Sequence, residues 1–278
     1  MAADVERQLD LIFGKGGGRD LRCDVYTPQA PSAHRSAVLM LYGGGWQRGE
    51  KSMMQAQAEY LARCGYVCVA AEYRLTPEAP WPAQIHDVKA ALRWLRAHAA
   101  SLNVDADSIA VLGNSAGGHL ALVLAGTAGL AEFEGDGGNA GIATHVAACV
   151  AWYPPTLFYA GTTRMSGAIP ADTLLGDAAT EATARAVSTT TYVHPHFPPT
   201  FFQHGTADKV VPVTASLRMY EALAKAGVRA EIHLYAEQPH SWARQPNWFG
   251  PAMAEAALFL DRYVAHPHAW SARQQAVE

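Results

Sequence analysis

The stretch Leu112-Gly113-Asn114-Ser115-Ala116-Gly117-Gly118 decides how this chain is read. It places Ser115 at the centre of a Gly-x-Ser-x-Gly turn. The run Ile109-Ala110-Val111-Leu112 before it is short and apolar, as a buried strand is, and residues 116–126 have the small apolar composition of a helix packed on a sheet. A strand–serine–helix turn forces the serine into a strained backbone conformation, which glycines two positions before and after it accommodate by letting strand and helix approach closely. The turn therefore points to Ser115 as a nucleophile. A glycine-rich loop without chemistry is the alternative, and the flanking strand and helix argue against it.

A serine hydroxyl attacks only when a positioned base takes its proton and an acid fixes the tautomer of that base. On a serine elbow of this kind the acid and then the histidine follow the serine in the chain. After a strand-like run at 200–204 comes Gly205-Thr206-Ala207-Asp208-Lys209-Val210-Val211-Pro212, which makes Asp208 the expected acid. After a second run at 230–235 comes Ala236-Glu237-Gln238-Pro239-His240-Ser241-Trp242, which makes His240 the expected base at the same sheet edge. Glu237 is the second choice for the acid; His204 precedes the acid, and His233 lies mid-strand. His194 and His196 flank Pro195 on a loop, and Asp87 lies on an amphipathic helix where a cap or packed ion pair explains it. Acyl transfer also needs N–H donors for an oxyanion, and Tyr42-Gly43-Gly44-Gly45-Trp46, directly after a strand-like run, exposes them. Gly44, Gly45 and Ala116 are the expected oxyanion donors, with Trp46, Asn114 and Trp242 as expected substrate contacts.

The 278 residues, 50% of them hydrophobic, suit one large α/β domain. With 17% charged residues and a net charge of -4, the chain carries no basic footprint for nucleic acid or an anionic membrane, so a small-molecule substrate is the expected partner. A homodimer is left open. The acidic N-terminus and the lack of any run near 18 apolar residues give a cytoplasmic expectation. Cys23, Cys64, Cys68 and Cys149 show no paired metal spacing and read as buried free thiols, and neither a metal nor a cofactor is expected.

Strand-like runs at 22–26, 37–42, 66–71, 108–112, 147–152, 200–204 and 230–235 alternate with helical stretches, so a mainly parallel sheet covered on both faces is expected. Ile85, Val88, Leu92 and Leu95 mark a helical stripe in residues 82–102, and a second helix over 213–226 ends at Gly227. Residues 129–144 read as a surface loop, residues 157–192 as a short cap or pocket wall, and the polar tail 265–278 with Trp270 as disordered or packed on a partner.

From about residue 24 to 264 the chain resembles the α/β-hydrolase superfamily, in particular its hormone-sensitive-lipase-like branch and the bacterial feruloyl and acetyl-xylan esterase carboxylesterases. The resemblance rests on Asp24-Val-Tyr-Thr-Pro28, Gly43-Gly-Gly-Trp46, Glu72-Tyr-Arg-Leu-Thr-Pro-Glu-Ala-Pro80, residues 82–94, Gly113-Asn-Ser-Ala-Gly-Gly118 and His204-Gly-Thr-Ala-Asp-Lys-Val-Val-Pro212. It implies an α/β-hydrolase fold over 1–278, the triad Ser115–Asp208–His240, and an oxyanion hole from Gly44, Gly45 and Ala116. It also implies an esterase acting on short-acyl, aryl or carbohydrate-linked esters through an acyl-enzyme. An activated amide or lactone (arylformamidase-like or macrolide-esterase-like) and a non-catalytic ligand-binding relative are the alternatives. Three departures stand out: Tyr42 where a histidine usually opens the oxyanion motif, Pro154-Pro155-Thr156-Leu157 where a glycine and a carboxylate are common, and Glu237-Gln238-Pro239 before His240.

Overall fold

The computed structural model describes residues 5–29, 32, 34–161 and 166–274. Its strands are β1 (Val5–Gly16), β2 (Arg19–Pro28), β3 (Ala37–Leu41), β4 (Val67–Ala71), β5 (Ile109–Asn114), β6 (Ala148–Trp152), β7 (Leu157–Tyr159), β8 (Ala168–Pro170), β9 (Thr200–Gly205) and β10 (Ala230–Tyr235). Eight of them form one sheet in the order β1-β2-β4-β3-β5-β6-β9-β10, while β7 and β8 pair separately. Pairing is parallel from β4 through β10 and antiparallel where β2 meets β1 and β4. Every residue of β3, β4, β5 and β6 is buried, which is why these runs carry no polar alternation: both faces of the sheet are covered.

The helices are α1 (Gln55–Arg63), α2 (Ala83–Ala97), α3 (Ala116–Gly126), α4 (Ala131–Glu134), α5 (Asp172–Leu175), α6 (Glu181–Val187), α7 (Thr214–Lys225), α8 (Pro246–Leu260) and α9 (Pro267–Gln274). Helix α2 stops short of the expected 102 because turns carry the chain to Asn103, which adopts φ 54. There Val104 N–H donates to Ala99 O and Asn103 N–H to Ala100 O, a left-handed cap that closes the segment. Because parallel strands end on one side, the segments after β3, β5, β6, β9 and β10 share a sheet edge, and the expected site residues lie on them.

Four expectations need correction. Strand β1 escaped the periodicity reading because bulges between Gln8 and Leu11 and between Ile12 and Gly14 interrupt its alternation. The 129–144 loop holds α4 and is anchored: Glu134 accepts from the enclosed Lys89 at 2.8 Å, from Thr144 at 2.7 Å and from the Gly129 N–H at 3.0 Å. Burial pulls the Lys89 amine below its ordinary value and the Glu134 pair opposes that pull. Cys64 is exposed, whereas Cys23, Cys68 and Cys149 are buried free thiols. The tail expectation covers α9, where the Trp270 indole N–H donates to Asp261 Oδ2 at 3.0 Å, and otherwise falls on residues 275–278, outside the described residues. Among the described residues no helix is long and apolar enough to cross a membrane.

Candidate active site

Ser115 stands between β5 and α3 with φ 54 and ψ -120, a conformation that costs a non-glycine residue about 1–3 kcal/mol. Two interactions hold it there: its N–H donates to Trp152 O of β6 at 2.9 Å, and its carbonyl accepts the His119 N–H at 3.0 Å. The motif glycines act through close approach. A Cβ on Gly117 would overlap the carbonyl oxygens of Leu41 and Tyr42, and one on Gly113 would overlap the backbone of Gly117. The helix thus begins pressed against β3 and β5, with Ser115 at its tip.

The acid turn and the histidine loop close on that tip. His240 Nε2 lies 2.9 Å from Ser115 Oγ, and His240 Nδ1 lies 2.6 Å from Asp208 Oδ2. The carboxylate accepts from Nδ1–H, which leaves the Nε2 lone pair facing the serine hydroxyl. Asp208 Oδ1 accepts the N–H groups of Val210 and Val211 at 2.8 and 2.9 Å. Burial works against charge on Asp208, but the donors on His204, His240 and Val211 outweigh it and hold the carboxyl well below its usual range. Gly205 lets the His240 loop seat itself: a Cβ there would overlap Gln238 O, which accepts the Ala207 N–H at 3.0 Å. A second tie joins Glu237 N–H to Thr206 Oγ1 at 2.9 Å, so the unusual Glu237-Gln238-Pro239 turn is bonded to the acid turn.

Across from the serine, a Cβ on Gly43 would lie 3.0 Å from Ser115 Cβ, which puts the glycine turn against Ser115. Gly44 sits at φ 140, and its carbonyl accepts the N–H groups of Gln47 and Arg48. Ala116 is the first residue of α3, where helix N–H groups have no intrahelical acceptor. Tyr42 braces this turn. Its ring stacks on Tyr73 at 4.3 Å, its hydroxyl donates to Tyr73 O at 3.2 Å, and the Tyr73 hydroxyl donates back to Tyr42 O at 2.8 Å.

The three expected substrate contacts fare differently. Asn114 is buried beside the serine, its amide 3.5 Å from the Tyr153 hydroxyl. Trp46, at φ 60 and only 2% exposed, packs on His119 and Phe158 and offers little free face to a substrate. Trp242 is fully enclosed, with the tilted ring of Tyr235 at 3.9 Å and Trp248 edge-on at 5.6 Å, so it offers no free face to a substrate. Asp87 pairs with Arg74, and His233 bonds Glu255.

Sequence reading missed Tyr153, which follows β6 at φ 40 and sets its ring 4.9 Å from His240. Its position at a strand's C-terminal end was the available signal. The 157–192 insertion contains β7, β8, α5 and α6, and Leu157, Phe158, Tyr159, Glu181 and Arg185 help line a cavity of about 550 Å³ there. His119 joins this segment to α3, with Nε2 donating to Val187 O at 2.8 Å.

A family model described as BD-FAE matches residues 23–223, most of the chain. A Mycobacterium tuberculosis protein named "Probable carboxylic ester hydrolase LipM" is 30% identical over 96% of this chain, which spans 62% of that protein's length. Among solved structures, esterase Est2 of Thermogutta terrifontis, described as propionate-bound, superposes with a TM-score of 0.76 and 31% identity, covering 93% of each chain. A carbohydrate esterase from gut microbiota, in truncated form, gives a TM-score of 0.81 at 25% identity over 93% of this chain and 97% of its own. These likenesses show the α/β-hydrolase fold for the sheet and helices described above.

Proposed function

The chain belongs to the BD-FAE family of α/β-hydrolases, and from that premise we propose that it is a serine carboxylic ester hydrolase working through a Ser115 acyl-enzyme. The observation that carries this reading is the unbroken line from Ser115 Oγ through His240 to Asp208, at 2.9 and 2.6 Å. As Oγ attacks the ester carbonyl, His240 Nε2 takes its proton, and Asp208 stabilises the imidazolium that forms. The developing oxyanion is received by the N–H groups of Gly44, Gly45 and Ala116, each such donor contributing about 2.7–4 kcal/mol. His240 then protonates the leaving alkoxide, and in the second half-reaction it activates the water that releases the acid.

The substrate class we propose is an ester with a short acyl group on an aryl or carbohydrate alcohol. Support comes from the propionate in the description of one similar esterase and from the name carbohydrate esterase given to another. The test is a p-nitrophenyl ester series from acetate to decanoate beside acetylated xylan and naphthyl ferulate, for wild type and Ser115→Ala. Turnover should peak at acetate to butyrate and fall by about 10³-fold or more in the variant. A peak at decanoate would refute the short-acyl class, and equal turnover by the variant would refute the serine mechanism.

A further inference from the structure

Asp208 is shared by two histidines, and the second is not part of the serine line. His204, the fifth residue of β9, is fully enclosed, and its Nε2 lies 3.3 Å from the same Oδ2 that receives His240. That nitrogen also lies 3.0 Å from Val211 O. A carboxylate and a carbonyl can only accept, so Nε2 must carry a proton. The other nitrogen, Nδ1, meets Ser216 Oγ of α7 at 2.8 Å, so in the neutral ring the serine hydroxyl donates and fixes the tautomer. Ser216 is itself fully buried, so no water competes for that role. Oδ2 thus receives the His240 N–H at 2.6 Å and faces, at 3.3 Å, the His204 N–H that it shares with Val211 O, while Oδ1 receives two backbone N–H donors.

We propose that His204, held by Ser216, is a positioning residue that fixes Asp208 and tempers its pull on His240. The inference rests on the serine-esterase reading. Each donor to a carboxylate spreads its negative charge and lowers its proton affinity. With His204 in place, Asp208 attracts the His240 imidazolium less than a carboxylate with one fewer donor would. The imidazolium that forms on His240 in the first step is therefore held less tightly and passes its proton on to the leaving group more readily. The other groups facing His240 are Ser115, the buried Tyr153 hydroxyphenyl ring and, through Tyr153, Arg244. Burial pushes the Tyr153 phenol up to about 12, so it adds no charge beside His240.

This assignment makes a signed prediction that mere scaffolding does not share. In His204→Phe the ring volume stays and the donor goes, so the acidic limb of kcat/KM should move upward by about 0.5–1 pH unit, with kcat down about 10-fold and KM unchanged. If His204 only keeps Asp208 in place, its loss loosens the acid from His240, and the limb moves downward. His204→Gln, which retains an N–H donor, should restore most of the wild-type limb. Ser216→Ala keeps the imidazole but frees its tautomer, and should give a smaller upward shift, so it carries the test if His204→Phe does not fold. A downward or absent shift in both His204→Phe and Ser216→Ala overturns the proposal. A wild type without esterase activity, or one equalled by Ser115→Ala, would instead overturn the reading on which it rests.

Discussion

The Ser115 elbow and the 157–192 segment meet through His119, one helical turn along α3, yet they are built by opposite means. At the elbow, backbone presses on backbone: Gly113 and Gly117 leave no room for a side chain, and Ser115 is held at φ 54 by its neighbours in β6 and α3. In the insertion, short elements are secured by polar side chains. Thr180 and Thr183 form a reciprocal box at the start of α6, Ser188 accepts from Phe158 N–H, and Thr189 donates to Thr156 O. The first region tolerates almost no change of shape, whereas the second can lose one bond at a time. The chemistry proposed above, which needs sub-ångström placement, sits on the first.

The largest expected effect comes from Gly117→Ala. With the carbonyls of Leu41 and Tyr42 in the way, the added methyl should destabilise the fold by about 3 kcal/mol or more and remove activity, read by urea unfolding and ester turnover. A soluble, active variant with unchanged stability would break the claim that the elbow is rigidly packed.

His119 is the joint between the two regions, and it tests them through pH. Burial drives its pKa from 6.5 down to about 4, with the bond to Val187 O opposing. As pH falls from 6.5 to 4 the unfolded chain takes up a proton that the folded chain refuses. The His119 contribution to stability is therefore fully present above pH 6.5, and about 3 kcal/mol of it is lost on the way to pH 4. His119→Phe should flatten that part of the stability–pH curve. An unaltered slope would show that the joint is open to water.

The smallest effect is expected from Thr180→Ala, which deletes one capping box in the insertion. A loss of about 1 kcal/mol, seen as faster amide exchange in α6 with kcat on p-nitrophenyl acetate unchanged, fits a region of separable parts. A drop in kcat would join the insertion more tightly to the elbow than the structure implies.

The same contrast explains what was legible in the sequence. The elbow, the acid turn and the histidine loop are short motifs at strand ends, so a parallel sheet brings Ser115, Asp208 and His240 to one edge once the strands are recognised. The insertion has no such local code. Its β7 and β8 are three residues each, too short for a period, and their pairing depends on the rest of the fold. Helix α8 was hidden by Pro251 within it, and β1 by its bulges. Trp242 was misplaced for a related reason: an aromatic next to a proposed base looks like a substrate contact until its packing on Tyr235 is seen. His204, weighed as a competing base, proves to stand behind the acid, since sequence order gives no hint of which face of β9 the ring occupies.

The central claim is that Ser115 is the nucleophile and that His240 with Asp208 makes it one. It is tested most directly by labelling the wild type, Ser115→Ala and His240→Ala with a fluorophosphonate, then mapping the adduct by mass spectrometry. The account predicts one adduct per chain, on Ser115, none in Ser115→Ala, and labelling slowed by about 10³-fold or more in His240→Ala. An adduct on another residue, or ester turnover by a chain whose Ser115 stays unlabelled, would contradict it.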